Sequence, residues 1–177
     1  MDSRTTGVRQ GAPPRGTAPA QFTVRLSSTP RGARLARLSA TRWLDEHGVP
    51  FRGAASRTAA VVVAELASNA VRHCGGIGRD FRLRLVLGVG PSAAGGTLRV
   101  EVTDARADKR LPPGLPRSSS GRGLVLVNAL AERWGVRVND AVTKTVWAQL
   151  RLPEPLPLPR AGSRDDATAQ GLMRDGK

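Results

Sequence analysis

The chain has no tyrosine, three phenylalanines, three tryptophans and a single cysteine among its 177 residues. One cysteine, Cys74, excludes an internal disulfide framework, and no Cys/His cluster has the spacing of zinc ligands. No apolar stretch approaches membrane-spanning length. Met1 to Ala20 is polar and rich in Gly, Pro and Arg, without the apolar core of a signal peptide. An unexported, cytoplasmic protein with no membrane partner is expected. Lysine is also scarce, at positions 109, 144 and 177 only, so arginine supplies the other 25 of the 28 basic residues behind a formal charge of +14. A basic surface attracts phosphates of any origin. The arginine bias also fits a GC-rich coding sequence, no nucleic-acid recognition motif accompanies it, and few aromatic platforms exist for bases. Direct nucleic-acid binding is therefore not the expected activity.

The length suits one domain with a full core. Residues 1–20 and 153–177 differ from the rest in composition; the second opens with Pro153, Pro155, Pro157 and Pro159, and both read as disordered tails. Between them, Phe22, Val24 and Leu26 alternate as in a strand. Thr29 and Pro30 then start a helix, as N-cap and first helical residue. Its apolar positions are Leu35, Leu38, Trp43 and Leu44, and Gly48 followed by Pro50 stops it. A second helix is expected from about Ser56 to Cys74, ending at Gly75 and Gly76. Phe81 to Val89 and Leu98 to Val102 alternate and read as an antiparallel hairpin. Residues 105–120, with three prolines, serines and cations, suit a long mobile loop. A helix then starts near Gly121 and runs through Leu124, Val127, Leu130 and Ala131 towards Trp134. Val136 to Val138 and Thr145 to Leu152 close the fold as strands. Helices grouped on one face of a mixed sheet accommodate this order.

At about 100° per residue, Glu65, Asn69 and Arg72 form one polar stripe on the second helix, opposite Val63, Leu66, Ala70 and Cys74. An Asn offers Mg²⁺ a neutral oxygen, and a Glu one turn away can orient or deprotonate a nucleophile. On spacing alone the same stripe describes a solvated helix face. Asp104 ends the second strand of the hairpin, where a carboxylate can accept from an exocyclic amine or serve as a turn residue. Gly121, Arg122, Gly123 and Leu124 open an apolar helix. Unpaired N–H groups and the helix dipole favour anions there, and glycine lets a phosphate come close. Arg106, Lys109, Arg110 and Arg117 precede it against one acid, Asp108.

In combination, the segments Val63 to His73, Val100 to Asp104, Gly121 to Leu124 and Thr143 to Ala148 resemble, in order and spacing, the GHKL ATPases, and within them the small anti-sigma-factor serine/threonine kinases. The match covers residues 21–152. The resemblance implies a two-layer α/β sandwich with a mixed, mainly antiparallel sheet and helices on one face. It implies ATP and Mg²⁺ as cofactors, with Asn69 as the Mg²⁺ ligand, Glu65 as or near the catalytic base, Asp104 on the adenine amine and Thr145 supporting adenine through water. Gly121, Arg122, Gly123 and Leu124 would flank the phosphates beneath a lid at 105–120. The partners it implies are a sigma factor and an antagonist protein, with a homodimer compatible with that class. Arg106 stands where the family often has glycine, and Thr143 likewise. No upstream dimerisation and phosphoacceptor segment is seen, and neither His47 nor His73 has the setting of a phosphoacceptor, so a complete sensor histidine kinase is not expected.

Overall fold

The computed structural model describes residues 19–74, 78–89, 95–108 and 122–152. Five strands and three helices are formed by these residues: β1 (Ala20–Leu26), α1 (Pro30–Glu46), α2 (Ala54–Cys74), β2 (Phe81–Val89), β3 (Gly96–Asp104), α3 (Arg122–Leu130), β4 (Arg133–Val138) and β5 (Lys144–Leu152). The strands make one sheet in the order β1-β2-β3-β5-β4. All four of its pairings are antiparallel, where a mixed sheet was allowed for.

Alternation decides which face of the sheet the helices cover. Phe81, Leu83, Leu85 and Leu87 of β2, Leu98, Val100 and Val102 of β3, and Val146, Ala148 and Leu150 of β5 point to one side and form the core with the helices. The odd-numbered residues of β3 and β5 point to the other side, which is strongly polar. There Glu101 accepts from Arg84 (3.0 Å) and Arg99 (2.8 Å), and Arg99 lies 4.1 Å over the Trp147 ring. Burial pushes the Glu101 carboxyl up, but the two guanidinium groups outweigh it and hold it below the usual glutamate value.

The helix α2 crosses the middle strands and buries Val62, Val63, Leu66, Ala67 and Ala70 against them. Its neighbour α1 packs on α2 and β1. Thr29 caps α1 by accepting from the Gly32 N–H at 3.1 Å, and Pro30 occupies the first turn. Gly48, at φ 82, lets the chain leave the helix in a left-handed conformation that disfavours other residues. The face α1 buries is Ala33, Ala36, Ala40, Trp43 and Leu44. Leu35 and Leu38, expected on the apolar face, are 42% and 43% exposed. Alanines hold the core positions because small side chains let two helices approach closely, and Trp43 fills the remaining gap against Phe22, with ring centroids 6.0 Å apart.

The last helix is shorter than its apolar pattern suggests. Its final turn closes with the Ala131 N–H on the Val127 carbonyl, after which Glu132 donates to the Gln149 carbonyl at 2.9 Å and the chain joins β5. Trp134 therefore lies in β4, and its indole N–H returns to Asn128 at 3.0 Å. Strand pairing wins over helix extension here because β5 otherwise presents an open edge. The expected tails fall at residues 1–18 and 153–177, and most of the expected lid at 109–121; these, with the glycine break at 75 and 76, lie outside the described residues.

Candidate functional site

Three stations lie along α2. At the first, Glu65 meets the start of α3: a Cβ added to Gly123 would collide with Glu65 Oε2 and come within 3.2 Å of its Cδ. Glycine is required at this point by close approach rather than by φ, and the carboxylate is thereby held beside the positive end of α3. Leu124 is 5% exposed and belongs to the core, so its side chain anchors this helix start and only its backbone faces the site. Gly121 and the side chain of Arg122 lie outside the described residues, as do Lys109, Arg110 and Arg117.

One turn on is Asn69, 5% exposed, whose Nδ2 is buried without a hydrogen-bond partner. Buried amides are nearly always satisfied, because an orphaned one forfeits about 1–3 kcal/mol of hydration. An amide kept here without a structural bond suits a residue that completes its bonding with a ligand. Since the O and N of an Asn side chain are assigned by their surroundings, an oxygen can equally be turned to a cation. No cluster of three or more His, Cys, Asp or Glu able to hold a metal occurs among the described residues. Mg²⁺ would then arrive with phosphate and water ligands, as it commonly does, and take one neutral oxygen from Asn69. The donor set fits that arrangement.

The third station is the C-terminal end of α2, against the end of β3. Asp104 is 2% exposed and forms part of the floor of the site, not its rim. Its Oδ1 accepts the Arg106 N–H at 3.1 Å and lies 3.2 Å from Lys144 Nζ. Cys74 is buried beside it. Burial pushes the thiol up, and the charge of Asp104 adds to the effect, so Cys74 acts as a small apolar group and not as a nucleophile. Arg106, where glycine was the familiar residue, turns its side chain away from Asp104. Its Nε and Nη2 fork onto Asp108 at 2.8 and 2.7 Å, and Nη1 reaches the His73 carbonyl at 3.1 Å. It thus ties the start of the 105–120 segment to the end of α2. His47 is likewise structural, its Nδ1 2.8 Å from the Trp43 carbonyl at the end of α1.

One expected contact is displaced. Thr145 pairs with Thr103 in the β3–β5 register, their hydroxyls 2.8 Å apart, and Asn139 donates to it at 3.0 Å. This pair lies on the sheet face away from the helices, so Thr145 cannot support a base seated beside Asp104. The residue opposite Asp104 is Lys144. Sequence reasoning passed over it, although a signal was present: Lys144 shares the parity of the core residues Val146, Ala148 and Leu150, a strand position where lysine is out of place.

From Glu65 to Cys74 the helix rises about 13 Å, so it sets a helix N-terminus at one end and a carboxylate at the other, with an unsatisfied amide between. That span suits the triphosphate and base ends of one extended nucleotide. Beside the stripe a cleft of about 370 Å³ opens between α1 and α2, with Arg34, Arg37, Ser68 and Arg72 in its wall.

The model of one protein family, the histidine kinase-like ATPase domain, matches residues 26–150. No curated protein matches the chain. The matched span takes in every station along α2 together with the strands that carry Asp104 and Lys144, and on that match the chain belongs to the histidine kinase-like ATPase domain family.

Proposed function

We propose that this protein binds MgATP along α2, with Asn69 on the metal, the start of α3 at Gly123 on the phosphates and Asp104 on the adenine amine. The observation that carries the reading is Asn69: a buried side-chain amide without a hydrogen bond, midway between a helix N-terminus and a buried carboxylate. Within that reading the activity is an anti-sigma-type serine/threonine kinase. Glu65 takes the proton of an acceptor hydroxyl as the γ-phosphoryl group passes to its oxygen and ADP leaves, and a sigma factor is sequestered by the same domain. Glu65 is supported for this by its place against Gly123, where the phosphates end. Positioning and charge neutralisation supply most of the acceleration in such a transfer. The arginine-walled cleft next to the stripe supports a protein acceptor bearing acidic groups.

Two measurements test the proposal. MgATP is expected to raise the melting temperature of the wild type, and the rise should vanish in Asn69→Ala and Asp104→Asn; absence of any rise in the wild type refutes nucleotide binding. With a candidate antagonist added, phosphoserine or phosphothreonine should form and be lost in Glu65→Ala, and transfer unaffected by that change refutes the role of Glu65. The Arg106 tie to Asp108 and His73 favours a second version, in which the domain binds nucleotide and acts through protein contacts alone. A melting shift without transfer to any antagonist selects that version.

A further inference from the structure

Lys144 is 1% exposed, and its position on β5 belongs by parity to the core. It faces Asp104 directly across the β3–β5 ladder, with Nζ 3.2 Å from Oδ1, and donates to the Arg106 carbonyl at 2.6 Å. Burying an ammonium and a carboxylate together gives little net stability. The desolvation of both charges roughly cancels their attraction, and an apolar pair of the same volume often does as well or better. Stability alone therefore does not account for a lysine among Val146, Ala148 and Leu150. What the lysine does achieve is asymmetry. It and the Arg106 N–H both engage Oδ1, while Oδ2 makes no hydrogen bond among the described residues.

We propose that Lys144 is a positioning residue that sets the base specificity of the site: it keeps Asp104 an oriented carboxylate whose remaining oxygen can only accept, so that the site selects 6-amino purines and rejects 6-oxo purines. The inference rests on the nucleotide-binding reading above. An ionised carboxylate has no proton to give. A 6-amino group donates to it, whereas a 6-oxo group sets one oxygen against another in a site that water cannot rescue, and unpaired polar groups of this kind are how a binding site discriminates strongly. Without the ammonium, a buried carboxylate lacks its counter-charge, and the neutral acid is the less costly form. That acid carries an O–H, which can donate to a 6-oxo group. Loss of Lys144 should thus erase the distinction between the two purine classes, an effect that a merely structural role would not produce.

The experiment uses the full chain with MgATP and MgITP, which differ at the 6-position of the base, and reads their affinities by competition against one fluorescent ATP analogue. The wild type should prefer ATP by at least about tenfold, and Lys144→Met should bring the ratio to within about threefold of unity. Cooperative melting establishes that the variant is folded. If Lys144→Met does not fold, Lys144→Gln, which keeps a donor but not the charge, is read in its place with the same expectation. A folded variant that keeps the wild-type ratio overturns the inference, as does a wild type that binds both nucleotides equally. A wild type that binds neither removes the nucleotide reading itself, which is a separate and recognisable result.

Discussion

Replacing Gly123 by alanine sets two effects of opposite sign against each other. Gly123 is the second residue of α3 and has an ordinary helical conformation, so alanine there should recover part of the roughly 1 kcal/mol that glycine costs a helix, about 0.5 kcal/mol this near the end. The new Cβ, however, would overlap Glu65 Oε2 and stand 3.2 Å from Cδ, while Glu65 Cβ, at 3.6 Å, is in normal contact. Only the far end of a flexible side chain must move, and forcing it off its rotamer costs about 0.5–1.5 kcal/mol. The net change in folding stability should therefore lie between about 0 and 1 kcal/mol of loss. In a Glu65→Ala background the obstacle is gone, and the same substitution should stabilise by about 0.5 kcal/mol. Urea unfolding of the four proteins gives the coupling directly, expected at about 1 kcal/mol. Phosphoryl transfer adds a second reading, since a carboxylate displaced by about 1 Å can lose up to about 100-fold in rate. Equal stabilisation by Gly123→Ala in both backgrounds would refute the contact between α3 and Glu65, and with it the geometry on which the site is built.

Further outcomes are expected elsewhere. Asn69→Ala breaks no hydrogen bond of the fold, so it should shift unfolding by no more than about 1 kcal/mol while abolishing stabilisation by MgATP; a large loss in the free protein would assign Asn69 to structure. Glu101 titrates below an ordinary glutamate in the folded state. Its contribution is therefore present above the unfolded-state value and is lost as pH falls through the folded one. Glu101→Gln should cost about 1–2 kcal/mol at pH 7 and flatten the acid limb of stability against pH, and an unchanged acid limb would refute the role of Arg84 and Arg99. On α1, Ala40→Leu should destabilise by about 1–3 kcal/mol through overpacking, whereas Leu38→Ser should stay within about 0.5 kcal/mol, both measured by thermal melts.

By itself the sequence determined the elements and most of the site. Period-2 runs marked β2, β3 and β5 because their alternate residues meet the helix layer. The Thr29 and Pro30 cap marked the start of α1 because capping is chemistry within one turn. Glu65 and Asn69 could be set on one stripe because helical geometry is local. What only the tertiary structure decided depends on groups distant along the chain. Leu35 and Leu38 went to solvent because close helix packing favours the alanines beside them. Trp134 left its helix because β5 offered a partner 14 positions further along. The face of the sheet on which Thr145 lies, and the partner that Asp104 finds in Lys144, follow from the β3–β5 register. A shift of one residue exchanges the two faces of a strand, and no property of either strand taken alone fixes that register.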